Sequence, residues 1–205
     1  MNNFWLPRAL EESRARGFLG PGPIEPHVEH ASGFLKTWSD FSPTPPPSFL
    51  DLGSGGGLPG LVLLNEWRGD ACFLDAMAKR TRFLEEVLGW PDAPEGSRVV
   101  TGRAEELARD PHLRAQFPLV VSRSFGPPAV TAECAAGFLS VGGLLIVSEP
   151  PTQEQRWEDA GLSLLGLEVA GTARHGATYV ALRLTRTPDE TYPRPNGVPG
   201  RKPLF

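Results

Sequence analysis

The chain has 205 residues, of which 40 % are hydrophobic and 21 % are charged, a composition that fits one globular domain with a full core. A formal net charge of −4 gives no overall attraction to nucleic acid, so an RNA substrate requires locally concentrated basic groups. The sequence contains no apolar run of membrane-spanning length and no secretory signal segment. We therefore expect a cytoplasmic protein without membrane contacts.

The cysteines and histidines indicate neither a disulfide framework nor a metal site. Cys72 and Cys134 fall in a predicted strand and a predicted helix, which is typical of small core residues. Neither they nor the four histidines have the spacing of metal ligands, so we predict no structural metal. The sequence carries no signal for an oligomeric state.

The front segment, residues 1–47, precedes the first predicted strand. Hydrophobic spacing predicts a helix over Leu6–Phe18 and a second over His27–Trp38. His27 and His30 share one face of the second helix. They are either polar residues at a helix start or part of a face that covers the mouth of a ligand site.

A glycine-rich turn follows the first predicted strand, Phe49–Leu52. Asp51 near the strand end is followed by Gly53, Gly55 and Gly57. In a strand–turn–helix unit, such glycines bring bare backbone amides up to a nucleotide-like ligand. The spacing is not that of the dinucleotide fingerprint, and no P-loop lysine follows. An acidic residue with G-x-G-x-G resembles motif I of class I S-adenosylmethionine methyltransferases.

A second acidic residue, Asp75, ends the next predicted strand, Ala71–Asp75. A carboxylate about twenty residues after a glycine-rich turn holds ribose hydroxyls in nucleotide-binding folds. The plain alternative is a glycine-rich turn without a ligand, and the position of Asp75 argues against it. S-adenosylmethionine is therefore the predicted cofactor.

Predicted strands and helices alternate from Asp51 onward, as a doubly wound sheet requires. We predict an α/β fold: a class I S-adenosylmethionine methyltransferase (Rossmann-like), with a doubly wound, mostly parallel seven-stranded sheet. The predicted parts are the helical front segment 1–47, a cofactor-binding domain 48–187 and a basic, Pro/Gly-rich tail 188–205. The elements predicted after Asp75 are helix Lys79–Leu88, strand Arg98–Thr101, a helix that opens at Gly102–Leu107, strands Phe117–Ser122 and Gly143–Ser148, a polar helix from Pro151 to Ala160, and a closing antiparallel pair, Ser163–Ala170 and Thr178–Thr185.

Two corners after predicted strands supply further candidate site residues. Ala104 and Glu105 open the helix after the third strand, the corner expected to hold the cofactor adenine. Arg123 and Phe125 follow the fourth strand, at the carboxyl end of the sheet where ligands gather. Arg123 can pair or hydrogen-bond with an acceptor, whereas Phe125 either stacks on it or belongs to the core.

The tail from Tyr192 to Phe205 is rich in proline and glycine, which disfavours regular structure. Its cations are Arg194, Arg201 and Lys202, and beside Tyr192 they suit contacts to RNA phosphates and bases. The apolar end of the tail indicates that it docks on the domain. We therefore predict these cations to be substrate-binding residues.

Several stretches together resemble the RsmG (GidB) family, which methylates a guanine N7 in small-subunit ribosomal RNA. They are Asp51–Gly60, Leu74–Leu84, Gly102–Glu106, Ser122–Phe125 and Tyr192–Leu204. The resemblance implies S-adenosylmethionine as cofactor and the small ribosomal subunit as partner. The cofactor contacts that we predict are Asp51, Gly53, Ser54, Gly55, Gly57, Leu58, Asp75, Ala76, Ala104, Glu105 and Arg123.

The chain departs from the usual pattern of this family at three places. Its front segment is shorter, Gly126 replaces an alanine, and Glu149–Pro150 stands where the family usually has Lys–Gly. Two other functions remain open. One is a small-molecule O- or N-methyltransferase, in which His27 or His30 acts as general base and Glu149 favours a cationic or hydroxylated acceptor. The other is a protein that binds S-adenosylmethionine without transferring its methyl group.

Overall fold

The computed structural model describes residues 4–67, 69–151 and 156–205. Its centre is a seven-stranded sheet with the order β3-β2-β1-β4-β5-β7-β6. The five strands from β3 to β5 run parallel, and β7 is antiparallel to both β5 and β6. This confirms the predicted fold class. The strands are β1 (Ser48–Leu52), β2 (Asp70–Asp75), β3 (Ser97–Thr101), β4 (Phe117–Ser122), β5 (Leu139–Glu149), β6 (Leu167–His175) and β7 (Ala177–Leu184).

Helices cover both faces of the sheet, and alternate residues of each strand face opposite layers. In β1, Phe49 packs in the layer of helices α1 to α4, and Leu50 packs in the layer of α6, α7 and the tail. Within the described ranges, no helix has the length and apolar character needed to cross a lipid bilayer. The helices are α1 (Trp5–Ala15), α2 (Glu25–Phe41), α3 (Gly60–Trp67), α4 (Ala78–Leu88), α5 (Ala104–Leu107), α6 (Pro128–Ala136), α7 (Asp159–Leu164) and α8 (Val198–Arg201).

The strand order places a crevice at the carboxyl ends of β1 and β4. Strand β1 pairs with β2 on one side and with β4 on the other. The connections that leave β1 and β4 therefore run to different layers, and the space between them is where open α/β sheets bind ligands.

The predicted elements that differ from the structure include the polar helix, the first strand of the closing pair and the tail. Residues 156–158 are not helical, so the polar helix predicted up to Ala160 is wrong there; its residues 152–155 lie outside the described residues. Strand β6 begins at Leu167 instead of Ser163, because α7 includes Ser163 and ends before Gly166, whose φ is +74°. The tail also contains one short helix, α8.

The front segment contributes buried residues to the core beside α3. Trp5 is 1 % exposed, and its indole Nε1 donates a hydrogen bond to Asn65 Oδ1 at 3.0 Å. The hydroxyl of Ser13 donates to the carbonyl oxygen of Gly56 at 2.8 Å. Helix α1 therefore supports the glycine-rich turn directly.

Helix α2 lies on the sheet over β7 at a glycine contact. The ring of fully buried Tyr179 occupies the space where a β-carbon on Gly33 would lie. The Tyr179 hydroxyl donates to the carbonyl oxygen of His30 at 2.6 Å. This contact sets the position of the helix that carries both predicted histidines.

We expect Gly33→Ala to lower the free energy of unfolding by about 1–3 kcal/mol, because the added methyl group overlaps the Tyr179 ring and forces α2 away from β7. Urea denaturation measures the change. Gly200→Ala is the matched control, since the added β-carbon meets no atom within 4 Å beyond its chain neighbours and the backbone of its own helix. Equal stability of the two variants would contradict the assigned contact.

Candidate functional site

The glycine-rich turn is held against the end of β2 by its backbone. The N–H groups of Gly53 and Ser54 both donate to the carbonyl oxygen of Leu74, at 2.8 and 2.9 Å. Gly53 and Gly55 have φ values of +76° and +54°, in the left-handed region that glycine adopts without a steric penalty. The turn therefore presents backbone atoms, with no side chain, at the carboxyl end of the sheet.

Two predicted cofactor contacts, Asp51 and Gly57, lie behind this turn and not on a cavity wall. Asp51 is fully buried, and its Oδ2 accepts a hydrogen bond from the N–H of Gly60 at 2.9 Å, where α3 begins. Burial raises the pKa of Asp51 to about 7. At Gly57 a β-carbon would overlap Leu61. Both residues therefore shape the turn from beneath.

A first cavity of about 290 Å³ lies where β2 and β3 end. The carboxylate of Asp75 is oriented at its wall, because Oδ2 accepts from the N–H of Gly55 at 2.9 Å and Oδ1 accepts from the N–H of Met77 at 2.8 Å. Its remaining lone pairs can accept hydrogen bonds from the two hydroxyls of a ribose. The predicted residues on this wall are Gly53, Asp75, Ala76, Ala104 and Glu105.

A second cavity, of about 210 Å³, lies on the other side of the glycine turn. It shares Gly53, Arg80 and Ser124 with the first cavity, so the two form one elongated cleft. A β-carbon at Gly53 would lie 2.7 Å from Cδ2 of Phe125, so a side chain here would obstruct the cleft. The predicted residues on the second wall, besides Gly53, are Ser54, Gly55, Leu58, His27 and Arg123.

A third cavity, of about 400 Å³, lies beyond the loop that follows β4. Arg123 also lines the second cavity, and Phe125 also lines the first. Between them, Ser124 has a φ of +57°, a conformation that a residue other than glycine adopts only when its surroundings hold it there. The three consecutive residues 123–125 therefore separate the third cavity from the cleft.

The predicted histidines flank Arg123 and are neutral near pH 7. Nη2 of Arg123 donates to Nδ1 of His27 at 3.2 Å. Burial and the Arg123 charge lower the pKa of His27, and they lower that of His30 to about 4. Among the described residues, neither Nη1 of Arg123 nor Nδ1 of His30 has a hydrogen-bond partner, although both atoms are buried.

Glu149 lines the third cavity as one member of an ion pair. Its Oε2 accepts from Nη1 of Arg156 at 2.9 Å, and its Oε1 accepts from the indole Nε1 of Trp157 at 3.0 Å. Arg156 compensates the negative charge. This pairing removes the reason for expecting Glu149 to favour a cationic acceptor.

The tail cation Arg194 is engaged inside the protein. Its backbone N–H and its Nε donate to Oε1 of Glu133 at 2.7 and 2.9 Å, and its Nη2 donates to Oε2 at 2.6 Å. Glu133 is 0 % exposed, so the pair satisfies a buried carboxylate. The guanidinium predicted to bind RNA phosphate therefore already has an anionic partner, whereas Arg201 and Lys202 are exposed.

The tail also reaches the wall of the first cavity. The N–H of Gly197 donates to Oε1 of Glu105 at 3.1 Å, and Nη2 of Arg103 donates to the same oxygen at 3.0 Å. Burial alone raises the pKa of Glu105, but these donors lower it overall, so the carboxylate stays charged. Nη2 of Arg109 fixes the preceding tail segment by donating to the carbonyl oxygen of Thr191 at 3.0 Å.

Sequence reasoning missed several residues of this site. Arg80, on the helix predicted over Lys79–Leu88, lies 3.4 Å from the Asp75 carboxylate and lines both cavities of the cleft. Arg156 and Trp157 were not predicted as site residues. A cation and an aromatic residue that follow Glu149 so closely in the sequence could have indicated partners for its carboxylate. Leu19, in the front segment, lines the second cavity, and no local sequence pattern predicts this contact.

A family model for rRNA small subunit methyltransferase G, GidB, matches residues 27–173 of this chain. The chain belongs to this family. It is 35 % identical over 167 residues to the ribosomal RNA small subunit methyltransferase G of Desulfitobacterium hafniense, a match that covers 75 % of this chain and 68 % of that protein. For the protein of the same name from Symbiobacterium thermophilum, identity is 32 % over 198 residues, covering 89 % and 80 %.

Solved structures give the same fold at low sequence identity. MtNAS in complex with S-adenosylmethionine is 12 % identical with a TM-score of 0.62, covering 89 % of this chain and 76 % of that chain. For a SAM-dependent methyltransferase from Aquifex aeolicus, the TM-score is 0.59 at 12 % identity, covering 80 % and 94 %. These likenesses concern the fold. Family membership makes this GidB protein a methyltransferase that depends on S-adenosylmethionine.

We expect Asp75→Asn to weaken S-adenosylmethionine binding about 10- to 100-fold, because an amide places a donor against the N–H of Gly55 or of Met77. Isothermal titration calorimetry measures the affinity. Asp70→Asn, at the exposed opposite end of β2, is the control and should bind as the unaltered protein does. Equal affinities for the two variants would remove Asp75 from the cofactor site.

We expect Arg194→Ala to lower the free energy of unfolding by about 3–5 kcal/mol, because it leaves the Glu133 carboxylate buried without its cation. Chemical denaturation provides the measurement. Arg201→Ala, which changes an exposed arginine of the same tail, should alter stability by less than about 0.5 kcal/mol. If the Arg194→Ala protein is as stable as the unaltered protein but binds RNA more weakly, Arg194 is a substrate-binding residue and the stability prediction is wrong.

Proposed function

We propose that this enzyme acts in the cytoplasm and methylates N7 of a guanine in small-subunit ribosomal RNA. The observation that carries the proposal is the loop Arg123–Phe125, which separates the cofactor cleft from a third cavity of about 400 Å³. A cavity of this size accepts a single flipped-out nucleotide base. The names of the family and of its relatives support ribosomal RNA as the acceptor.

The cleft has the groups that hold an elongated nucleoside cofactor. Asp75 would accept hydrogen bonds from the ribose hydroxyls, and the bare backbone at Gly53 and Gly55 would lie against the cofactor's methionine portion. Ala104 and Glu105 would bound the adenine. When bound, S-adenosylmethionine supplies an electrophilic methyl group.

The reaction requires alignment more than proton transfer. Guanine N7 carries a free lone pair, so no protein group has to remove a proton before the attack. The task of the protein is to bring the reacting atoms to about 3–3.5 Å and to exclude water. Phe125 lies at the boundary of the two spaces and can stack on the base, and the Arg123 side chain lines both the cleft and the third cavity.

One observation favours a second candidate, a small-molecule O- or N-methyltransferase. His30 lines the third cavity, and an imidazole beside that space could act as a general base for an acceptor. Its pKa of about 4 makes it a weak general base. The guanine reaction needs no such base, so it agrees better with the site.

Methyl transfer from labelled S-adenosylmethionine tests the proposal. The substrates are small ribosomal subunits from cells that lack this protein, protein-free ribosomal RNA, and a metabolite extract. Label mapped to a guanine N7 is the expected result. Label confined to the extract would identify a small-molecule enzyme, and cofactor binding without label in any fraction would favour a protein that binds without transferring.

We expect Phe125→Leu to reduce kcat/KM for the RNA about tenfold or more while S-adenosylmethionine affinity stays within a few fold, because the flat ring that stacks on the base is lost. Steady-state kinetics and calorimetry give the two quantities. Phe125→Tyr keeps an aromatic face and is the control. If leucine and tyrosine support the same kcat/KM, Phe125 is a packing residue only.

A further inference from the structure

The wall of the third cavity that includes the end of β5 combines an acceptor and a donor side by side. The Glu149 carboxylate is 12 % exposed and is fixed by Nη1 of Arg156 on one oxygen and by Nε1 of Trp157 on the other. Trp157 is buried, so the carboxylate has a defined orientation before any ligand arrives.

Within the residues that the structure describes, both groups have hydrogen-bonding capacity to spare. Each oxygen of an ionised carboxylate offers about two acceptor positions, and each oxygen of Glu149 uses one of them here. A guanidinium has five N–H donors, and Arg156 gives one of them to Glu149. The pair therefore offers two neighbouring acceptors with a donor beside them.

Among the four RNA bases, guanine alone has the complementary edge. Its Watson–Crick edge places the acceptor O6 beside two adjacent donors, N1–H and N2–H₂. Adenine has one donor followed by an acceptor, cytosine has one donor with two acceptors, and uracil has one donor between two acceptors. Only guanine can bind Glu149 and Arg156 together without a donor facing a donor or an acceptor facing an acceptor.

We propose that Glu149 and Arg156 select the acceptor base by binding the Watson–Crick edge of guanine. The carboxylate of Glu149 accepts hydrogen bonds from N1–H and N2–H, and the guanidinium of Arg156 donates to O6. This inference rests on the proposed function and deepens it, since it assigns base selection to Glu149, where the chain departs from the usual family residue, and to its partner Arg156. Phe125, on the same cavity, covers the face of the base while its edge is bound.

The same contact favours the reaction electronically. Methylation at N7 gives the purine a positive charge and makes N1–H a stronger acid. The hydrogen bond from N1–H to the Glu149 carboxylate therefore strengthens as the new bond forms. Glu149 should thus contribute to kcat as well as to the selection of the base.

The test compares guanosine with inosine, which lacks only the 2-amino group. Small-subunit ribosomal RNA is prepared with either nucleoside at the position of the proposed methylation, and kcat/KM is measured for each protein at saturating S-adenosylmethionine. The variant is Glu149→Gln. The control is Glu158→Gln, an exposed residue close to the same segment. Cofactor affinity and melting temperature are measured for each protein.

The unaltered protein and Glu158→Gln should prefer guanosine over inosine about tenfold or more, the effect of one lost hydrogen bond to a charged group. Glu149→Gln should lower kcat/KM for guanosine RNA about tenfold or more and reduce the preference to within about threefold, with cofactor affinity unchanged. Any intrinsic difference in N7 reactivity between the two nucleosides is common to all proteins, so it does not alter this comparison.

Two results would overturn the inference, and they differ. If Glu149→Gln lowers both rates equally and keeps the preference, Glu149 supports the loop and does not read the base, while the proposed function stands. If the unaltered protein binds S-adenosylmethionine but transfers no methyl group to guanosine RNA, the proposed function fails and the base-reading role fails with it.

Discussion

The two hydrogen bonds that the carbonyl oxygen of Leu74 accepts, from the N–H groups of Gly53 and Ser54, join the ends of β1 and β2. The next residue, Asp75, accepts from the N–H of Gly55, so side chain and backbone bind the same turn. Three contacts thus hold a loop of glycines that has little conformational preference of its own. These contacts position the turn relative to β2 and so set the shape of the cleft above it.

The front helices support this turn from one side. Ser13 of α1 donates to the carbonyl oxygen of Gly56, and a β-carbon at Gly56 would overlap the Ser13 hydroxyl. Helix α2 is held over β7 by the contact of Gly33 with Tyr179, and this places His27 within hydrogen-bond reach of Arg123. The orientation of the guanidinium between the cleft and the third cavity therefore depends on packing some distance from either.

The tail supports the opposite side of the cleft, at the wall of the first cavity. Arg194 neutralises the buried Glu133 on α6, and the N–H of Gly197 then meets Glu105 at the wall of the first cavity. The tail was expected to dock on the domain through its apolar end and to bind RNA through its cations. In the structure the two arginines differ: Arg194 is paired with the buried Glu133, whereas Arg201 is exposed.

Local sequence patterns were enough to predict the cofactor cleft and the parallel sheet of this protein. The glycine spacing and the acidic residue that ends the next strand indicated the cofactor cleft, because glycine adopts these backbone angles without a steric penalty and a carboxylate suits ribose hydroxyls. Alternating apolar strands indicated the parallel sheet. What the tertiary structure alone decided were contacts between residues far apart in the chain, such as Ser13 with Gly56 and Arg194 with Glu133. No local pattern encodes such pairs, since they depend on the path of the chain between the partners. For the same reason the sequence placed Asp51 among the cofactor contacts, whereas the fold buries it beneath the turn.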